Sequence, residues 1–172
     1  IHTTLDENLN MINETIAYLK SLGKEVIFDA EHFFDGYKNN SEYALKTLEV
    51  AVSAGADCLA LCDTNGGCFP DEIYEITKVV CEKFEVAVGI HCHNDCGMAV
   101  ANAIMAVYAG ATNIQGTFTG FGERCGNTTL STVIANLQAK KDYYCIPEEN
   151  IENLTHTARK ISEIANFKLS DI

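Results

Sequence analysis

The chain has 172 residues, 47% of them hydrophobic, and a formal net charge of -12, so it can build the core of an ordinary domain but lacks the Lys/Arg clusters that nucleic acid or an anionic membrane surface requires. No run approaches the roughly 20 apolar residues that span a bilayer, and no basic region followed by an apolar one opens the chain; small molecules are the expected partners and the cytoplasm the expected compartment. Eight cysteines without a Cys-x-x-Cys pair or a secretory feature predict reduced thiols filling core positions, not a disulfide framework or a structural zinc cluster.

The chain starts at Ile1 and enters a helical pattern almost at once, which is the expectation for a piece of a longer protein. Thr4-Leu5-Asp6-Glu7 reads as a capping box. Behind it Leu5, Leu9, Ile12, Ile16 and Leu19 recur at helical spacing, and Gly23 supplies a stop. Glu25 to Ala30, with Val26, Ile27 and Phe28 together, predicts a strand buried on both faces and ending in the polar Asp29 and Glu31. A helix from about Ser41 to Ala54, closed by Gly55, leads to a second buried strand, Cys58 to Cys62, which ends in Asp63-Thr64-Asn65-Gly66-Gly67. Pro70 opens the next helix, where its missing N–H is tolerated, and Asp71 and Glu72 suit that helix's positive end. Val86 to Ile90 is the third predicted strand, ending in His91-Cys92-His93-Asn94-Asp95, and an Ala-rich helix runs on to Gly110. Asn113 to Phe118 is the fourth, emptying into Gly120-Phe121-Gly122-Glu123-Arg124-Cys125-Gly126-Asn127 before a helix through Leu130, Val133, Ile134 and Leu137. After Pro147, the residues Ile151, Leu154, Ala158, Ile161 and Ala165 predict a final helix.

Polar strand ends near residues 31, 63, 91 and 117 recur about every 30 residues, the length of one strand-helix unit of a parallel sheet. The fold expected is α/β: about four parallel strands alternating with helices, half of a (β/α)8 TIM barrel. Residues 1–140 are expected to form the partial barrel, the last four β/α units with a preceding helix. Residues 141–172 form a helical extension leading out of it.

Active sites of such folds lie at the C-terminal ends of the strands, where every polar cluster above falls. His91 and His93 stand two apart, so on a strand they share a face, and two neutral imidazoles suit a divalent transition metal with positions left for oxygen ligands. Gly120 and Gly122 let the backbone pass close to a ligand; Asn127 could cap the next helix or give an oxygen to the metal. Glu31 and Thr64 are residues that serve either a turn or a site, as is Asp29. Arg124 can pair with Glu123 or another carboxylate, or bind an anion.

The run Val88 to Ala101, containing His91-Cys92-His93-Asn94-Asp95-Cys96-Gly97, resembles the His-x-His-Asn/Asp-Asp-x-Gly signature of the 2-isopropylmalate, homocitrate and citramalate synthase family. Gly120 to Asn127 is similar to that family's Gly-x-Gly-Glu-Arg-x-Gly-Asn motif, and Phe28 to Tyr37 and Cys62 to Gly67 look more like its citramalate synthase branch. The resemblance covers nearly the whole chain and implies the C-terminal half of the catalytic barrel of an acyltransferase. That enzyme type carries out a Claisen-type condensation of acetyl-CoA, the co-substrate, with a 2-oxo acid, pyruvate in the citramalate branch. The alternatives are 2-isopropylmalate or homocitrate synthesis, or a lyase or aldolase of the same metal-barrel superfamily. The resemblance further implies His91, His93 and Asn127 as ligands of a divalent metal ion (Zn, Mn or Mg). It makes Glu31 a catalytic and substrate-binding residue at the acetyl-CoA end, Thr64 a substrate-binding residue for the oxo acid, and the full-length enzyme a homodimer. The family's Asp-Arg-Glu motif, which implies a further metal ligand and an arginine at the developing oxyanion, is not within these 172 residues, nor is its C-terminal region. The 172 residues alone are therefore expected to be inactive and to bind metal weakly.

Overall fold

A computed structural model describes residues 3–141 and 143–167. Four strands, β1 (Ile27–Ala30), β2 (Cys58–Asp63), β3 (Ala87–Cys92) and β4 (Asn113–Gln115), form one parallel sheet in the order β1-β2-β3-β4. Helices α1 (Leu5–Ser21), α2 (Phe33–Asn39), α3 (Ser41–Ser53), α4 (Pro70–Lys83), α5 (Ala99–Ala109) and α6 (Leu130–Lys141) alternate with them; a 3-10 turn (Glu148–Asn153) and α7 (Leu154–Ile164) follow.

Side chains alternate across a strand, and the register sorts them into two faces. Phe28, Leu59 and Val88 lie in register, as do Ala30, Leu61, Ile90 and Ile114; all belong to or pack on the apolar core beneath the helices. The opposite face carries Asp29, Ala60, Gly89 and Asn113 in one row and Cys62, His91 and Gln115 in the next. Small and polar residues on that face make it the inside of a curved sheet, while the helix side holds the bulk of the hydrophobic burial.

Several expectations needed revision. β2 is buried along its whole length, but β1 is not, with Ile27 43% exposed and Asp29 exposed beside it. Ile27 and Asp29 both stand on the inner face, away from the helices, and among the described residues β1 is paired on one side only. The fourth strand stops at Gln115 instead of Phe118; past Gly116 the chain pairs instead with the segment before α6, through a parallel Thr117–Thr129 bridge and the Thr117 N–H donating to Thr128 O at 3.1 Å. A short helix, α2, occupies Phe33 to Asn39, a stretch assigned to no element from sequence, and buries Phe33 and Phe34. All eight cysteines are free as expected, yet Cys96, Cys125 and Cys145 are exposed and do not fill the core.

The helix starts follow the sequence chemistry. Thr4 Oγ1 accepts the Glu7 N–H at 3.2 Å, the amide half of the anticipated box. Glu72 accepts the Phe69 N–H at 2.8 Å ahead of Pro70 and pairs with Lys38. Asp57 ties α1 to the sheet: its carboxylate accepts from Lys20 Nζ at 2.8 and 2.7 Å and from the Val26 N–H at 2.7 Å. The Lys20 ammonium, aided by the Val26 amide, holds the Asp57 carboxyl below its ordinary range. A carboxylate whose pKa is depressed by folding stabilises the protein above its unfolded pKa, about 3.9, and that contribution disappears as pH falls through the folded value. Urea unfolding at pH 7 should therefore rank the native sequence above Asp57→Asn, and the difference should shrink once pH drops below about 4. Unfolding curves with a pH-independent gap would contradict the staple.

Candidate functional site

The site is assembled where β1 to β4 end. His91 is the penultimate residue of β3, in register with Cys62 and Gln115, so its ring stands on the inner face. His93 lies one residue past the strand, held by its N–H donating to Asp63 O at 3.2 Å and by an antiparallel bridge to Asn127. The two imidazoles are neighbours, with ring centroids 5.3 Å apart and planes inclined by 38°. His93 is 9% exposed, and its Nδ1 is buried without a hydrogen-bond partner. The Asn127 Oδ1 is also buried and unpartnered, so it caps no helix; α6 begins three residues later. Buried polar atoms are nearly always paired, and these two orphans belong to residues joined by one bridge.

His91 differs from His93 in having a partner. Its Nδ1 is 2.8 Å from Gln115 Oε1, and Gln115 Nε2 donates to Asp29 Oδ1 at 2.7 Å. The Nε2 of His91 is thereby left free of that contact. Two imidazoles and an amide oxygen are the donor chemistry of a divalent transition metal. Among the described residues no group of three His, Cys, Asp or Glu side chains is placed to hold a metal. A mixed set completed by oxygen ligands is the arrangement these residues fit.

The loops around the pair are locked to one another. Arg124 Nε and Nη2 donate to the two Asp95 carboxylate oxygens at 2.8 and 3.0 Å, while Nη2 also donates to Thr64 O at 2.6 Å. The guanidinium holds the Asp95 carboxyl below its usual range. Arg124 takes φ 54° to make this reach, an unusual conformation for a side-chain-bearing residue. Of the roles open to it, pairing with a carboxylate other than Glu123 is the principal one; Glu123 is farther, at 3.7 Å. Asp63 is 2% exposed and accepts the Gly67 and Cys68 N–H groups at 3.2 and 3.3 Å, fixing the β2 end as a turn. Gly66 is required there: at φ 59° its Cβ would come within 2.7 Å of Asp95 Oδ2 and 2.9 Å of the His93 carbonyl carbon.

Thr64 Oγ1 accepts the His32 N–H at 2.8 Å, which leaves its own proton to donate. Glu31 is exposed at the β1 end, and its carboxylate lies against the Cys62 thiol. Burial, reinforced by the Asp29 and Glu31 charges, pushes that thiol up. The structure thus brings His91, His93 and Asn127 together and sets Thr64 and Glu31 on neighbouring strand ends. Gln115, Asp63 and the Arg124–Asp95 pair were not singled out from sequence in these roles. Gln115 had one legible signal: it is a long polar side chain in a predicted parallel strand, where both faces are ordinarily apolar.

The family profile described as HMGL-like matches residues 1–167. The (R)-citramalate synthase of Aquifex aeolicus is 59% identical over 170 residues, covering 98% of this chain and 32% of that protein. The 2-isopropylmalate synthase of Staphylococcus carnosus is 38% identical over 168 residues, covering 95% of this chain and 32% of that protein. The chain spans about a third of the length of the curated relatives it matches. Among solved structures, the HMG-CoA lyase of Bacillus subtilis superposes with a TM-score of 0.79 at 20% identity, covering 99% of this chain and 60% of that one; the likeness is one of fold.

Proposed function

The chain belongs to the HMGL-like family, and on that premise we propose that it is the C-terminal half of the catalytic TIM barrel of an acyltransferase joining acetyl-CoA to a 2-oxo acid, with pyruvate as the acid and citramalate as the product. The observation that carries this reading is the paired His91 and His93 with the orphaned Asn127 oxygen, set in a chain far closer to a citramalate synthase than to a 2-isopropylmalate synthase. Residues 1–140 supply the last four strand-helix units and 141–172 the extension. The missing barrel strands would pair with the open edges of β1 and β4. The full-length enzyme is a homodimer in this reading.

In the reaction, a base removes a proton from the acetyl-CoA methyl group, and the resulting carbon nucleophile attacks the keto carbon of the oxo acid. The new carbon-carbon bond displaces the carbonyl π pair onto oxygen, which is then protonated. Water cleaves the thioester and releases CoA. A divalent metal, when bound, supplies Lewis-acid stabilisation of the oxygen that gains charge. His91, His93 and Asn127 would hold that metal, and a further ligand would come from outside these 172 residues. Thr64 donates its hydroxyl proton to the oxo acid while its oxygen stays anchored by the His32 amide. Glu31, at the neighbouring strand end, positions the acetyl-CoA end. Arg124 and Asp95 act on neither substrate; they hold the Thr64 loop and the His93 loop in one frame.

The test is a substrate panel on the full-length enzyme, scored as CoA released from acetyl-CoA. Pyruvate should be preferred over 2-oxoisovalerate and 2-oxoglutarate. Preference for either of the others would move the protein to another branch, and no release with any oxo acid, combined with cleavage of an acyl-CoA, would turn the reading toward a lyase.

A further inference from the structure

We infer that Gln115 and Asp29 form a positioning relay that fixes the tautomer of His91, so that its Nε2 presents a lone pair to the metal; the inference rests on the metal site proposed above. The two contacts determine each other in order. A carboxylate only accepts hydrogen bonds, so the Gln115 amide must turn its NH2 toward Asp29 Oδ1, 2.7 Å away. Its carbonyl oxygen then faces His91 Nδ1 at 2.8 Å, and an oxygen of this kind also only accepts. The proton of a neutral His91 ring is therefore on Nδ1, and the lone pair is on Nε2, the form in which imidazole binds a metal.

The relay depends on the curvature of the sheet. Asp29 and Gln115 belong to β1 and β4, the two outer strands, 86 residues apart in sequence, and their side chains meet across β2 and β3. Ala60 and Gly89 occupy the positions in register with Asp29, and neither has a side chain long enough to obstruct the crossing. Of the two histidines, only His91 has this support; the Nδ1 of His93 is unpartnered. Asp29 and Gln115 thus act through His91 and touch neither the substrate nor the reacting atoms.

The experiment uses the full-length enzyme labelled with 15N in histidine, first metal-free and then titrated with zinc against a competing chelator. Nitrogen shifts of His91 should report the Nδ1–H tautomer in the native sequence. Gln115→Leu should move the population toward Nε2–H and weaken zinc binding by about 10- to 100-fold. Gln115→Glu keeps an acceptor next to Nδ1 and should preserve the native tautomer. Should Gln115→Leu fail to fold, Gln115→Met gives the same readout, because it keeps the length of the side chain while removing the amide oxygen that faces Nδ1. An Nε2–H tautomer in the native enzyme, or an unchanged tautomer or zinc affinity in the folded Gln115→Leu or Gln115→Met protein, overturns the relay. A native enzyme that shows the Nδ1–H form but takes up no zinc would instead sink the metal site, since the tautomer is read before metal is added.

Discussion

Replacing His91 or His93 by alanine in the full-length enzyme is expected to lower condensation of acetyl-CoA with pyruvate by about 10³-fold or more, the scale of a lost Lewis acid worth several kcal/mol of transition-state stabilisation. The two positions fail for related reasons. His91 stands on the inner face of β3 with one nitrogen committed to Gln115, so its removal takes away a proposed ligand and leaves the Gln115 carbonyl oxygen without its partner, while the Gln115 amide keeps Asp29. His93 is held at the strand end by the Asp63 carbonyl and the Asn127 bridge, and its truncation empties a buried polar site without disturbing the apolar face of the sheet. Stability should therefore change far less than turnover. Stripping the native enzyme with a chelator should reproduce the loss, and added divalent metal should restore the native enzyme but neither variant. Near-native turnover in His93→Ala would remove the pair from the reaction.

Arg124→Lys is expected to reduce turnover by about 10²-fold, the cost of roughly 1 Å of misplacement in a catalytic arrangement, with the fold retained. Lysine keeps the charge but not the planar fork that serves both Asp95 oxygens and the Thr64 carbonyl at once. Without that clamp the loop after β2 and the loop after β3 can separate, and Thr64 and His93 move with them. Arg124→Gly is a useful companion, because glycine accepts the φ of 54° at no cost. If the glycine variant is as impaired as the lysine variant, the missing fork is responsible and not backbone strain. Steady-state rates equal to the native enzyme in both would show that the loops hold their geometry unaided.

Much of this frame was legible in the chain itself. The period of about 30 residues between polar strand ends predicted the β/α alternation, and the spacing of His91 and His93 predicted neighbouring side chains at a strand end, where their rings lie 5.3 Å apart. The features that escaped share a cause: they depend on what lies opposite in space. Nothing local to Ile27 reveals that β1 is an edge strand, and an apolar run reads alike whether one face is covered or two. α2 is only seven residues long, with Gly36 inside it and its two buried aromatics adjacent, so it offers no helical period to detect. The Asp29–Gln115–His91 connection spans three elements and exists only because the sheet curves. The Arg124–Asp95 pair joins residues 29 apart, in two loops also tied by the Asn94 N–H donating to Gly126 O at 2.9 Å. Asn127 read from sequence as a helix cap or an oxygen donor; its oxygen is unpartnered and caps no helix.

The most direct measurement is anomalous diffraction from crystals of the full-length enzyme soaked with Mn2+. One strong manganese peak is expected within coordination distance of an imidazole nitrogen of each of His91 and His93, with the Asn127 oxygen facing it. A peak elsewhere in the barrel, or an ordered His91–His93 pair with no metal at saturating Mn2+, would contradict it.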